Sequence, residues 1–367
     1  MPGVYISYPF CAQKCTYCNF ASGVPPKDLE PKYIDVLRAE LRGTRWPWTP
    51  ETVYLGGGTP SNMSPEVLAA VLAEIPANEW LEATIEAAPG SITAEKADAW
   101  RRAGIDRVSL GVQSFAAREL ARTGRKHTAE IAAADVGILR AAGIESINID
   151  LIAGLPGQTE ASWRESLEWV ERIDAPHVSV YMLEVDQDSR LGREMLLGGV
   201  RYGAADVPSD DRVADFYEIA VERLARAGVA RYEISNFARP GFESRHNLKY
   251  WRREAYLGFG ADAHSFDGTW RWQNAESAAG YVENPAPADR SMVDRTMADP
   301  VGERFFLGLR LSEGIEGDWA PFEDAIERFL ADGLLERSGS RLRLTSRGVL
   351  LSNEVFAEFV GVAAQAT

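Results

Sequence analysis

The sequence predicts an α/β protein whose parallel sheet closes wholly or partly into a barrel, followed by a less regular stretch and a small helix-and-hairpin unit. Three observations predict it. Six short apolar segments alternate with segments of helical periodicity through the first half of the chain. Helical segments end alike at Arg-Ala-Gly104-Ile, Ala-Ala-Gly143-Ile and Arg-Ala-Gly228-Val, where glycine past a helix and then a β-branched residue return the chain to a strand. The character of the chain then changes after residue 185 and again after residue 299, which sets three regions: 1–185, 186–299 and 300–367.

Val4-Tyr5-Ile6 is the first strand, and Pro31 to Leu41 carries Ile34, Leu37 and Leu41 on one helical stripe. Thr52 to Leu55 is the second strand and runs into Gly56-Gly57-Gly58-Thr59-Pro60. Ser64 and Pro65 then read as N-cap and first position of a helix bearing Val67, Leu68, Val71, Leu72 and Ile75. Further strands are expected at Ala83–Glu86, Arg107–Leu110, Ser146–Ile149 and His177–Tyr181, with helices capped by Thr93, Thr128 and Thr159 between them. Residues 186–299, rich in Trp, Tyr and Gly, read as an extension covering the barrel. In the last region Gly302–Leu309, Pro321–Leu330 and Arg347–Phe359 read as helices. Arg341–Leu344 reads as one arm of a hairpin turning at Ser338-Gly-Ser.

That last arrangement resembles a winged helix, usually a DNA reader. Residues 300–367 carry 11 acidic and 7 basic residues, so packing or partner docking is expected there instead. The whole chain has a net charge of −15 and a pI near 4.9, which excludes a general nucleic-acid binder. No apolar run approaches a membrane span. The cysteine motif begins almost at the N-terminus, leaving no room for a signal peptide, and clustered free thiols fit a reducing compartment. A cytoplasmic location is expected.

The three cysteines of the chain fall in one stretch, Cys11-Ala-Gln-Lys-Cys15-Thr-Tyr-Cys18. Thiolates are soft ligands for iron–sulfur clusters and zinc. Three of them hold three irons of a cubane and leave the fourth without a protein ligand. A zinc site normally uses paired C-x2-C spacings with Cys or His completing a tetrahedron, and no His lies near this loop. An odd cysteine count gives no disulfide framework. The cluster leads on spacing; zinc or unligated thiols are the alternatives.

Other polar residues stand where the loops of a parallel barrel gather at one face. Gly56-Gly57-Gly58-Thr59 follows the second strand, Glu86 ends the third, Gln113 follows the fourth, and Asp150 ends the fifth, with Arg125 in the loop before it. The glycine run lacks the Lys-Ser/Thr of a phosphate loop. Each residue alone is also what an ordinary loop carries. Their shared position is what marks them.

The C-x3-C-x2-C spacing, with Tyr5-Ile-Ser-Tyr-Pro-Phe before it and Tyr17-Cys18-Asn-Phe20 at its end, resembles the radical S-adenosylmethionine (SAM) superfamily. More closely, the chain is similar to the coproporphyrinogen oxidase-like branch and, within it, to the HemW family of heme chaperones. The matching strings are Gly-Gly-Gly58-Thr-Pro-Ser, Ile-Glu86-Ala-Ala-Pro-Gly, Gly-Val-Gln113-Ser-Phe, Gly-Arg125-Lys-His, Asn-Ile-Asp150-Leu-Ile-Ala-Gly-Leu-Pro-Gly and His246-Asn247-Leu-Lys-Tyr250-Trp251. The resemblance implies a partial (β/α)6 barrel and a [4Fe-4S] cluster on Cys11, Cys15 and Cys18. It implies SAM contacts at Tyr5, Tyr17, Gly57, Gly58, Thr59, Glu86, Gln113, Arg125 and Asp150. Two departures touch the cluster's surroundings: Ser7-Tyr8-Pro-Phe stands where relatives have His-Ile-Pro-Phe, and Asn19 where Asp is usual.

Two functions compete. One is an oxygen-independent coproporphyrinogen III oxidase, which decarboxylates propionates by radical chemistry. The other is a chaperone that keeps the scaffold, binds heme and passes it to apoproteins, with an electron donor serving the cluster. The oxidase pattern has a further cysteine where this chain has Phe20, and an N-terminal arm for which the ten residues before Cys11 leave no room. The chaperone is favoured. No membrane span is expected, which leaves room for transient contact with membrane-bound acceptors. Heme iron needs an axial donor, most often imidazole. His246 is the expected ligand, amid Tyr250, Trp251, Tyr256, Phe259 and Trp270, with Arg245, Lys249, Arg252 and Arg253 placed to meet propionates. His264, in Gly258-Phe-Gly-Ala-Asp-Ala-His-Ser, is the runner-up, and His127 and His177 read as structural. A lone His among aromatics is more often a hydrogen-bonded core residue, so the motif carries the weight.

Overall fold

The computed structural model describes residues 1–19, 22–24, 26, 28–77, 79–285 and 293–360. Phe20, on which the oxidase comparison turned, lies outside the described residues.

Strands and helices alternate as β1 (Gly3–Tyr8), α1 (Leu29–Gly43), β2 (Thr52–Gly57), α2 (Pro65–Leu72), β3 (Glu82–Ala87), α3 (Ala94–Arg102) and β4 (Arg107–Gln113). They continue as α4 (Ala117–Thr123), α5 (Ala129–Ala141), β5 (Ser146–Ala153), α6 (Glu160–Ile173) and β6 (His177–Met182). Ser64, Thr93, Thr128 and Thr159 each accept a backbone N–H at the helix start, as their side-chain chemistry predicts. α2 ends at Leu72, so the last residue of its expected stripe, Ile75, packs into the core from the turn beyond.

β1 to β6 pair in sequence order, all parallel. Alternate residues explain the closure. Val4, Ile6, Val53, Leu55, Ala83, Ile85, Val108, Leu110, Ile147, Ile149, Val178 and Val180 face the helices and join one apolar core. The intervening positions, Tyr5, Tyr54, Thr84, Glu86, Ser109, Asn148, Asp150 and Ser179, line the inner face. Such a polar inner wall suits a partial radical SAM barrel, which encloses a ligand space rather than a solid apolar centre.

The chain from 186 onward adds strands to both edges of the same sheet, which its irregular sequence did not announce. It comprises α7 (Arg190–Leu196), α8 (Asp210–Arg226), β7 (Ala230–Arg231), β8 (Asn236–Ala238), α9 (Arg245–Trp251), β9 (Tyr256–Phe259), β10 (His264–Phe266), β11 (Trp270–Gln273), α10 (Ala278–Glu283) and β12 (Thr296–Met297). β9 pairs parallel with β1, placing a seventh parallel strand beside the first six. β8 pairs antiparallel with β6 on the other side.

The C-terminal part holds α11 (Pro300–Gly308), β13 (Ile315–Glu316), α12 (Glu323–Ala331), β14 (Leu335–Ser338), β15 (Arg341–Leu344), α13 (Ser346–Leu350) and α14 (Ser352–Ala357), with a small antiparallel sheet in the order β13-β15-β14. The final helix expected over 347–359 is two short helices. Leu351, at φ −111° and ψ 25°, leaves the helical region between them, and the bend buries Val349, Val355 and Phe359 together. No helix among the described residues is long and apolar enough to cross a membrane.

Candidate cofactor site at the barrel mouth

The cysteine loop leaves β1 and is tied down on every side. Cys11 N–H donates to Gly23 O at 2.8 Å and Gly23 N–H to Pro9 O at 3.0 Å, closing the loop at its neck. Thr16 N–H reaches Thr123 O at 3.3 Å, and Leu191 N–H at the start of α7 reaches Thr16 O at 2.9 Å. Asn19 Nδ2 donates to Asp186 at 3.1 Å. Cys11, Cys15 and Cys18 form no disulfide and are partly exposed. Among the described residues no three Cys, His, Asp or Glu groups converge on one single-ion position. A cubane asks for something different, one thiolate for each of three irons.

The glycine run serves this loop directly. Gly58 N–H donates to Tyr8 O at 2.9 Å and Thr59 N–H to Phe10 O at 3.0 Å. A Cβ at Gly58 would lie 2.7–2.8 Å from backbone atoms of Tyr8 and Phe10. Only glycine lets the end of β2 lie this close to the chain entering the cysteine loop. Gly57 N–H donates to Glu86 at 3.2 Å. The N–H groups of all three residues expected at SAM are therefore engaged within the protein, a role the sequence reading, which assigned them to ligand alone, did not separate.

Behind the mouth, β1, β2 and β3 bring Tyr5, Tyr54 and Glu86 together. The Tyr5 and Tyr54 rings stack at 6.1 Å, and Tyr54 Oη donates to Glu86 at 3.0 Å. Burial, with Asp150 as a like charge nearby, pushes the Glu86 carboxyl up to about 7. Asp150 is also raised, by burial. It accepts from Ser109 Oγ at 3.0 Å and Asn148 Nδ2 at 2.7 Å. β4 ends irregularly: its pairing shifts between Leu110 and Gln113, and Gln113 sits at φ 71°. A left-handed conformation in a non-glycine residue is costly and tends to mark functional positions. Gln113 and Arg125 both reach over Gly111.

Arg125 donates to Tyr17 Oη at 3.4 Å. Burial alone would lower its pKa, but Tyr17 and Cys15 beside it more than offset this and raise it. Its Nε is buried without a hydrogen-bond partner. An unsatisfied guanidinium N–H beside the thiol loop and the two carboxylates on β3 and β5 suit a zwitterionic, cationic ligand. The residues present thus fit both a cluster and SAM. Tyr181 is a lining residue the sequence reading passed over: it lies on the inner face of β6, 42% exposed at the mouth. Its only sequence signal was its place two residues beyond Ser179 at a strand's C-terminal end.

The two candidate heme histidines lie apart from one another in the fold. His246 is on α9, which closes the N-terminal end of the barrel, opposite the cysteine loop. It is fully buried. Its Nδ1 is 2.9 Å from Thr52 Oγ1, its Nε2 is 2.8 Å from Tyr250 Oη, and Lys249 Nζ lies within 2.9 Å of both. Burial and Lys249 hold it well below the usual imidazole pKa. In this conformation neither ring nitrogen is open to iron. Three of the four basic residues expected at propionates are likewise committed: Lys249 is buried beneath His246, while Arg252 and Arg253 pair with Glu313 and Glu303. His264 starts β10 and is exposed, and its carbonyl lies where a side chain of Gly258 would be, on the strand paired with Tyr5. His127 is buried and pushed down to about 4, by burial and then Arg125.

The radical SAM superfamily model matches residues 5–170, and the HemN C-terminal domain model matches residues 296–351. The chain is 33% identical to the heme chaperone HemW of Bacillus subtilis (strain 168), over 98% of this chain and all of that one. It is 38% identical to the heme chaperone HemW of Mycobacterium tuberculosis (strain H37Rv), over 98% and 95% of the two chains. Among solved structures, the coproporphyrinogen III oxidase HemN of Escherichia coli superposes with a TM-score of 0.79 over 98% of this chain and 90% of that one. At 22% identity, that match speaks to the fold.

Proposed function

The chain belongs to the family of the heme chaperone HemW within the radical SAM superfamily, and from that premise we propose that it is itself a heme chaperone that binds a cluster, SAM and heme and transfers heme to acceptor proteins. The observation that carries the reading is the placement of three cysteines outside any disulfide at the open end of β1, in a chain aligned end to end with heme chaperones. Cys11, Cys15 and Cys18 hold the [4Fe-4S] cluster. Tyr5, Tyr17, Gly57, Gly58, Thr59, Glu86, Gln113, Arg125 and Asp150 form the SAM site. With both bound, the pair supplies one-electron reductive cleavage at the sulfonium, drawing on an external electron donor.

The protein's own groups bind and orient. Glu86 and Asp150 offer negative charge to a cationic ligand, and Arg125 offers its free N–H to a carboxylate. The glycine run fixes the cysteine loop against β2. For heme, the exposed imidazole of His264 is the better axial donor, because His246 is buried with both nitrogens hydrogen-bonded. The place of action is the cytoplasm, and the acceptors are heme-requiring apoproteins.

The competing reading is coproporphyrinogen III oxidation, favoured by the fold of HemN alone. Anaerobically reconstituted protein separates the two. The chaperone reading expects a Soret shift on stoichiometric hemin addition, heme passage to an apoprotein, and no protoporphyrinogen from coproporphyrinogen III with SAM and reductant. Turnover at about 1 per second or faster would establish the oxidase instead.

A further inference from the structure

A ladder of buried side chains runs down the inner wall of the barrel from Asp150, and the chemistry of its two ends fixes how Asn148 and His177 face each other. Asp150 Oδ1 is 2.7 Å from Asn148 Nδ2. The same nitrogen is 2.7 Å from Ser109 Oγ and 2.9 Å from Ser179 Oγ. At its other end, Asn148 Oδ1 is 2.7 Å from His177 Nδ1. His177 Nε2 is 2.9 Å from Tyr232 Oη, which in turn accepts the N–H of Ser244 at 3.2 Å. Ser109, Asn148, His177 and Ser179 are all buried.

With Asp150 ionised its carboxylate only accepts, so Asn148 turns its amide nitrogen, whose two N–H groups are shared among Asp150, Ser109 and Ser179, to Asp150 and its carbonyl to His177. That carbonyl also only accepts, so His177 carries its proton on Nδ1. Nε2 is then a lone pair, and the Tyr232 hydroxyl satisfies it while accepting from Ser244. Burial keeps this imidazole neutral, as the ladder requires. The opposite, helix-facing side of these strands is packed with apolar residues. A polar hub at Asn148 is therefore not a packing default, and a half-satisfied version of it would cost stability.

We propose that Asn148, held in one orientation by His177, is the positioning residue that fixes the Asp150 carboxylate for SAM at the barrel mouth. This rests on the assignment of Asp150 to SAM made above. Asn148 acts through Asp150 and touches no reacting atom. The charged or titratable groups facing Asp150 from the other walls are Tyr54 on β2, Glu86 on β3, Arg107 on β4 and Tyr181 on β6.

The test is SAM affinity, by equilibrium dialysis from pH 6 to 9, of anaerobically cluster-reconstituted wild type, Asn148→Asp and Asn148→Ala, with thermal midpoints alongside. Asn148→Asp keeps the shape and places a second carboxylate against Asp150. Its Kd is expected to rise about tenfold or more at pH 8, with the loss shrinking toward pH 6 as the added group takes up a proton. Asn148→Ala, which adds no charge and covers the case where the first variant does not fold, is expected to weaken binding about tenfold at every pH. A role in packing alone would lower the midpoint and leave the affinity and its pH profile as in wild type, and that result overturns the inference. Wild-type protein that does not bind SAM overturns the site assignment itself, and the inference with it.

Discussion

At the scale of single residues, Glu86 makes the sharpest pH prediction. Its carboxyl titrates near 7 in the free protein because burial and Asp150 disfavour its charge. A cationic ligand beside it favours the ionised form, so binding releases a proton below that pH. SAM affinity is expected to rise about tenfold per pH unit up to about 7 and then level off; Glu86→Gln should bind more weakly and lose the slope. A flat profile in the wild type would remove Glu86 from the SAM site. The sign is opposite for stability of the free fold, which gains from neutral Glu86 below about pH 4.5 and loses that gain as pH rises toward 7. The cysteine loop gives a second prediction at this scale. The triple Cys11, Cys15, Cys18→Ala variant should bind neither iron nor sulfide after reconstitution; stoichiometric zinc in the wild type without a broad visible band would favour the zinc alternative. Gly58→Ala keeps all three thiols but drives a methyl into the backbone of Tyr8 and Phe10. Iron content per chain should fall several-fold while circular dichroism stays near wild type.

At the scale of elements, α9 shows what a sequence can and cannot reveal. Strands β1 to β6 were legible because each is a short apolar run bounded by a capped helix and a turning glycine. β9 was not, since Tyr256–Phe259 is four residues long and interrupted by Gly258, and its partner strand lies some 250 positions earlier. The glycine run, Glu86, Gln113 and Asp150 stand out in the sequence by their places after or at the ends of strands, whereas Tyr5 and Tyr17 stand out only through the family resemblance and Tyr181 reads as one more apolar strand residue. The His246 motif was visible but its setting was not. Nothing in His-Asn-Leu-Lys-Tyr-Trp says that Thr52 and Glu82 lie against it. Glu82 accepts from Ser244 Oγ and from the backbone N–H groups of Arg245 and His246, capping α9 at the barrel's closed end. His246→Ala should therefore unpair Thr52, Tyr250 and Lys249 together and cost about 2–4 kcal/mol of stability, read as a lowered denaturation midpoint. Hemin titration of the same variant is expected to match wild type, while His264→Ala loses the Soret shift. The reverse pattern would mean that α9 leaves the barrel end to present His246 to iron.

At the scale of the whole molecule, the C-terminal region is fastened to the barrel end through charges rather than through a linker. Glu303 on α11 is buried and takes Arg253 at 2.7 Å from the loop after α9 and Arg271 at 2.6 Å from β11, with the Phe266 ring beneath both guanidiniums. Ser312 N–H donates to Tyr232 O at 2.9 Å, Arg310 lies 3.7 Å from buried Glu233, and Arg310 also covers the Trp251 ring. The same Tyr232 closes the ladder that ends at Asp150. A region joined in this way is expected to unfold with the barrel in one cooperative transition. Glu303→Gln keeps the shape and removes the charge that neutralises two arginines. Because those arginines are partly exposed, the cost should fall below that of a fully buried pair, at about 1–3 kcal/mol. Calorimetry on the cluster-free protein is the measurement: one transition in both proteins, shifted downward by several degrees in the variant. Two separate transitions in the wild type would show that residues 300–367 fold on their own and that the Glu303 joint contributes little.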